Sequence, residues 1–282
     1  MRDIVISVLL PGDGGQPDFS SAIKAMIATA TDPASIEFLS YSVSRNPSSE
    51  DRVDVERMEE VDGTQCALVS LKGPPKSFVS RTNDCAARST GDIVLLWFVG
   101  PRIATPGWDD ALRGAFSAAS QGHTCLALQA GGGGFGTILG SGTEELTLPA
   151  TIALTRNWIE AADQFLCPAS DDSVSVLWVC DIAFRLGRLH PVQGLEIDLN
   201  SIKGPISENG HQRIVSGLVK YQQSKAYRAY DARRIMNQAD WLGRKPDPEH
   251  QPILVDAVGK LAHMSYLFDE VQDGSSAPLS FE

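Results

Sequence analysis

The stretch GDIVLLWFVGPRIATPGWD, residues 91–109, joins an uninterrupted apolar run at 93–98 to a Thr-Pro-Gly-Trp-Asp helix entrance at 105–109. The apolar run reads as a buried strand, and a helix follows over 108–119. The turn between them, Val99 to Ala104, holds no carboxylate.

Working outward, the same strand-then-helix pattern recurs. Ile4 to Leu10 is β-branched, unbroken, and closed by Pro11-Gly12-Asp13-Gly14-Gly15, as a buried strand entering a loop would be. Residues 20–31 place Ile23, Met26 and Ile27 at helical spacing. Further strands are predicted at 36–43, 65–71 and 124–128. Strand and helix in alternation predict an α/β fold with a mainly parallel, Rossmann-like sheet covered on both faces. Such sheets bind ligands beyond the carboxyl ends of their strands, here the loops at 11–17, 44–49, 73–80 and 99–104.

The chain has 282 residues, enough for a full core. Its 24 basic against 35 acidic residues give a net charge of -11. That charge repels a phosphate backbone unless cations are gathered on one face, which argues against non-specific nucleic-acid binding. Five cysteines, odd in number and set mostly in apolar runs, read as buried free thiols rather than a disulfide frame or a zinc site. No apolar run reaches the roughly 18 residues of a membrane span and no signal segment opens the chain, so a soluble, cytoplasmic protein is expected.

Gly131 to Gly136 is glycine-rich but lacks the Gly-Lys-Ser/Thr ending of a phosphate loop, and reads as a mobile loop near the cleft. The five histidines show no metal-ligand spacing. Beyond Gly204 the chain turns helical, over 212–242 and 253–271. These helices either cover the sheet or mediate self-association with a copy or an assembly partner. Tyr221, Tyr227 and Tyr230 there suit an amphipathic docking face or stacking on a sugar.

Several segments in order carry a family resemblance: Ile6-Ser7-Val8-Leu9-Leu10-Pro11, Asp32 to Glu37, Ser80-Arg81-Thr82-Asn83-Asp84-Cys85 through Gly91-Asp92-Ile93, Thr105 to Asp109, Leu154 to Trp158, and Asp181 to Leu189. Over about residues 4–205 the chain resembles the nucleotide-sugar-dependent GT-A glycosyltransferases of the family-2-like group. The resemblance implies a GT-A-like domain at 1–205 with a C-terminal helical extension at 206–282 packing on it. It also implies transfer of a sugar from a nucleotide-sugar donor to a hydroxyl acceptor.

In that group an acidic pair after the Gly-Asp-Ile strand holds a divalent metal on the diphosphate, offsetting the leaving group's charge. This chain has Val99-Gly100 there, Ser44-Arg45-Asn46-Pro47 where a nucleoside-binding carboxylate is expected, and Ile197-Asp198-Leu199-Asn200 where a histidine is expected. No divalent-metal cofactor is therefore expected, and cations such as Arg102, Arg45 or Lys76 would stand in its place. The implied donor-binding residues are Pro11, Gly12, Asp13, Arg45, Asn46, Lys76 and Arg102. Asp181 matches the acidic residue that opens the group's late helix and serves as general base; a helix N-cap or first-turn residue is the structural alternative. Asp92 and Asp109 read as strand-end and helix-cap residues. The rival to an active transferase is an inactive GT-A-fold module that binds or supports a larger assembly.

Overall fold

The computed structural model describes residues 6–12, 19–44, 53–97, 102–103, 105–118, 125–128, 151–170, 175–192, 195, 197–198, 217, 220–221 and 223–238. Ten strands are present among them: β1 (Ile6–Leu10), β2 (Ile36–Val43), β3 (Asp54–Val61), β4 (Thr64–Gly73), β5 (Ile93–Leu96), β6 (Arg102–Ile103), β7 (Cys125–Leu128), β8 (Thr151–Thr155), β9 (Leu189–Val192) and β10 (Ile197–Asp198). The helices are α1 (Ser20–Thr29), α2 (Phe78–Ala86), α3 (Trp108–Ala118), α4 (Arg156–Ala162), α5 (Ser175–Arg185) and α6 (Lys225–Gln238).

Eight strands form one sheet in the order β3-β4-β2-β1-β5-β8-β7-β9. β4, β2, β1 and β5 are mutually parallel, and β7 is parallel to β9. β3 and β8 run against their neighbours. The expected mainly parallel sheet, with helices on both faces, is thus present. Strand β1 lies near its centre, paired to β2 through Ile6 and Ile36 and to β5 through Ile6 and Ile93.

Alternation along the central strands sends side chains into two cores, one on each face. Ile6, Val8, Phe38, Leu95 and Trp97 meet Ile23 and Met26 of α1 and Trp108, Leu112 and Phe116 of α3. Leu9, Leu39, Val94 and Leu96 meet Trp158 of α4, Phe165, Trp178 of α5, and Ala232 and Ile235 of α6. Helix α6 therefore shares the core that α4 and α5 build, rather than lying apart from it. Ser77 caps α2, its Oγ accepting from the Ser80 N–H at 3.1 Å, and Thr155 caps α4 in the same way through Trp158 N–H at 3.3 Å.

The predicted strand at 36–43 and the helix starting at Trp108 are found at those residues. Strand β3 departs from the sequence reading. Its sequence, DVERMEEV, is exposed along nearly its whole length because it is a sheet edge, so it carries no apolar period.

Candidate functional site

The carboxyl ends of β1 and β4 are joined by one side chain. Arg81, in the first half of α2, is only 5% exposed. Its guanidinium donates from Nη2 to the Gly12 carbonyl (2.8 Å), just after β1, and from Nη1 to the Lys76 carbonyl (2.9 Å), just after β4. Its buried Nε has no hydrogen-bond partner, and no carboxylate among the described residues forms an ion pair with it. Gly12 sits at φ 65°, in the left-handed region where glycine carries no Cβ penalty, which lets the chain turn back to present that carbonyl.

The loop after β4 is built tightly around Arg81. The Tyr41 hydroxyl donates to the Pro74 carbonyl at 2.9 Å, and a Cβ placed on Gly73 would fall 2.3 Å from that hydroxyl oxygen. Burial raises the Tyr41 phenol above its ordinary pKa, with Lys76 and Arg81 opposing the shift. Lys76 donates to Asp84 at 2.9 Å across the first two turns of α2. Its charge is therefore shared with a carboxylate, whereas that of Arg81 rests on neutral carbonyls. Next to β1, Trp97 donates its backbone N–H to the Leu9 carbonyl at 2.8 Å, and its buried indole Nε1 has no partner.

Of the donor residues expected from sequence, Pro11, Gly12 and Lys76 lie at this end of the sheet, Pro11 and Gly12 being buried. Asp13, Arg45 and Asn46 lie outside the described residues, as does the Gly131 to Gly136 segment. The backbone of Arg102 pairs antiparallel with Asp198 in the small β6-β10 sheet.

The sequence places Asp181 at a helix opening, but it lies in the middle of α5, six residues beyond Ser175, so it is neither N-cap nor first-turn residue. It is 6% exposed, and its Oδ2 accepts from Nε of Arg228 at 2.7 Å. Arg228, 3% exposed, also donates to the Tyr221 carbonyl and to Ser224 Oγ (2.9 Å), with its guanidinium 3.6 Å from the centre of the Tyr221 ring and 5.6 Å from that of Trp178. This cation bolts α6 to α5.

Asp109 does not cap its own helix. Its two carboxylate oxygens accept from the backbone N–H groups of Thr31 (2.7 Å) and Asp32 (2.9 Å), in the turn after α1, and from Arg113 (2.9 Å). Burial alone would raise its pKa, but these three donors outweigh burial and hold it below the ordinary carboxylate value. Asp92 precedes β5 at the amino end of the sheet, where its carbonyl accepts from Arg156 N–H. That end carries its own polar cluster: buried Glu37 accepts from Ser7 Oγ (2.5 Å) and from the Thr90 and Gly91 N–H groups, while Arg156 donates to the Gly91 carbonyl and Ser89 Oγ.

The sequence resemblance implies a divalent metal after β5. Val99 and Gly100 carry no ligand side chain in the sequence, and of the two carboxylates nearest them along the chain Asp109 is engaged with the α1 turn and Asp92 is at the opposite end of β5. Among the described residues no group of three or more His, Cys, Asp or Glu is placed to hold a metal, and no helix is long and apolar enough to cross a membrane.

No known family and no curated protein matches the sequence. Among solved structures, the chain is similar to residues 1–349 of TarS from S. aureus in complex with UDP-GlcNAc, at 12% identity and TM-score 0.47, over 92% of this chain and 80% of that one. It is similar to a mannosyltransferase from Pyrobaculum calidifontis in complex with GDP-Man and Mn2+, at 12% identity and TM-score 0.49, over 99% and 78%. A third such structure is glucosyl-3-phosphoglycerate synthase from Mycobacterium tuberculosis with Mn2+, UDP and phosphoglyceric acid, at 14% identity and TM-score 0.48, over 77% and 78%.

Arg81 is a functional candidate that the sequence does not single out within the Ser80 to Ile93 run. Its single sequence signal is an arginine four residues after a Ser N-cap, inside a segment that must pack on β1.

Proposed function

We propose that this chain is a glycosyltransferase-like protein that binds a nucleotide-sugar diphosphate at the carboxyl ends of β1 and β4, without a carboxylate-held divalent metal. The observation that carries this reading is Arg81. A buried guanidinium costs several kcal/mol to desolvate unless an anion accompanies it. Here two carbonyls hold its Nη1 and Nη2 atoms and the buried Nε–H has no partner. A diphosphate supplies the missing negative charge, and a planar guanidinium suits its oxygens. The N-terminal turn of α2 adds its dipole at the same place.

In the transfer itself the acceptor hydroxyl oxygen bonds to the anomeric carbon, the bond from that carbon to the phosphate oxygen breaks, and the nucleoside diphosphate departs. The hydroxyl proton passes to a base. Asp181 is the base that the sequence resemblance proposes, and its engagement with Arg228 favours the second reading instead: a module that keeps the donor cleft and the fold but has lost the chemistry.

Calorimetric titration with a panel of UDP- and GDP-linked sugars, each with and without manganese, tests the first reading. Binding that does not require manganese and is lost in Arg81→Met supports it; no binding to any donor removes it. A product assay with the donor that binds then separates enzyme from module.

A further inference from the structure

Four large apolar side chains stand out as exposed on the described surface: Val55 and Met58 on β3, and Tyr227 and Tyr230 on α6, the two tyrosines at 67%. They lie in two places of opposite charge. β3 carries Asp54, Glu56, Glu59 and Glu60 against Arg57 alone, whereas α6, whose Arg228 is buried against Asp181, carries Lys225, Arg233 and Arg234 against Asp231, in a chain whose net charge is -11. Arg57 and Lys72 pair with Glu59 and Glu56, so Glu60 is the uncompensated acid of the strand. Arg228 and Arg234 pair with Asp181 and Asp231, and exposed Arg233 has no ion pair among the described residues.

Beyond the donor-cleft reading, and independently of it, we propose that β3 of one molecule seats against α6 of a second copy, head to tail. The shape of the edge selects this occupant. Val55 pairs with Leu71 and Met58 with Leu68, three positions apart in an alternating strand, so they point to opposite faces of the sheet. A partner touching both has to straddle the edge, as a helix laid along it does. The eight residues of β3 extend about 26 Å and the 14 of α6 about 21 Å, so the two elements match in length. On α6, Tyr227 and Tyr230 lie three residues apart with exposed Arg233 on the same side, away from the buried Arg228, Ala232 and Ile235.

Two other occupants fit less well. Sheet extension by β3 of a second copy sets acid against acid and meets the register shift between Met58 and Glu60. A polyanion on α6 leaves Val55 and Met58 unused. A head-to-tail contact is heterologous, so it builds a ring or a growing chain rather than a two-fold dimer.

The test is sedimentation of the full chain and two variants, with circular dichroism to establish that each is folded. Met58→Lys with Glu60→Lys disables the strand side, and Tyr230→Glu with Arg233→Glu disables the helix side. All four positions are exposed. The wild-type chain is expected to sediment above monomer mass at low salt, with the mass rising with concentration and falling as salt is added. Each variant alone is expected to be monomeric, its association weakened on the order of tenfold or more. An equimolar mixture of the two retains one good strand and one good helix and is expected to form dimers and stop there. A wild-type chain that stays monomeric, variants that associate as the wild type does, or a mixture that gives no dimer would each overturn the proposal.

Discussion

Replacing Asp181 with alanine tests whether the α5-α6 bolt holds the molecule together. Asp181 and Arg228 are 6% and 3% exposed and 2.7 Å apart, so the substitution leaves a guanidinium buried without its anion. Breaking a buried pair from one side costs about 3–5 kcal/mol. Arg228 would keep the Tyr221 carbonyl, Ser224 Oγ and the faces of Tyr221 and Trp178, and a desolvated cation over an aromatic ring retains about 2 kcal/mol. The expected loss therefore sits at the low end, about 3 kcal/mol. At about 2–4 °C per kcal/mol for a chain near this size, the thermal midpoint falls by about 6–12 °C. Arg228→Met, which keeps the aliphatic stem over the rings, takes the buried cation away from the Asp181 carboxylate and is expected to cost a similar amount. The double variant removes both charges and is expected to cost far less than the two losses added, because each single loss consists mainly of the stranded partner. Urea unfolding of the four proteins closes the cycle. A loss below about 1 kcal/mol for Asp181→Ala, or additive losses in the double variant, would refute the structural role and return Asp181 to the acceptor side as a free base.

Three further outcomes follow from the geometry. Asp109 has a folded-state pKa below its ordinary value of 3.8, so its contribution is present above that value and is lost as pH falls through the lower folded pKa; acid titration of stability is expected to be shallower in Asp109→Asn, and an unchanged acid limb would contradict the clamp on Thr31 and Asp32. Gly73→Ala forces the Tyr41 ring off the Pro74 carbonyl and is expected to cost about 1–3 kcal/mol in urea unfolding, partly recovered by adding Tyr41→Phe, which removes the oxygen in the way. Burial raises the thiol pKa values of Cys66 and Cys85, so both are expected to resist thiol reagents in the folded chain and to label only on unfolding, with rapid native labelling of either the contrary result.

The parts of the fold that build the core were legible. β2 is legible because aliphatic and aromatic residues dominate IEFLSYSV, and Trp108, Leu112 and Phe116 recur at helical spacing along α3. β3 was missed because an edge strand exposed to water needs no apolar period, and its carboxylates read as loop. Helix α5 is harder: SVLWVC is β-branched and apolar, so nothing in it announces a helix, and the sequence resemblance puts Asp181 at the opening of a helix that begins six residues earlier. The loops after β1 and β4 are the place that the sequence proposes for donor binding, and nothing local marks a particular side chain there. Arg81 stands among serine, threonine and asparagine, and its burial comes from Gly12, 69 residues earlier. Asp109 likewise has its backbone donors 77 and 78 residues away. Local sequence shows that such a residue is charged, while only the tertiary packing decides what it is charged for.

The central claim is that the Arg81 guanidinium is the cation of a metal-independent donor cleft. Titration of the chelator-treated chain with nucleotide sugars, repeated with Arg81→Met and with manganese restored, measures it most directly. The account predicts binding by the chelated chain, an affinity unchanged within about twofold by manganese, and a loss of about 1.5–3 kcal/mol, tenfold or more, in a folded Arg81→Met variant. Binding that appears only with manganese, or that survives Arg81→Met unaltered, would contradict it.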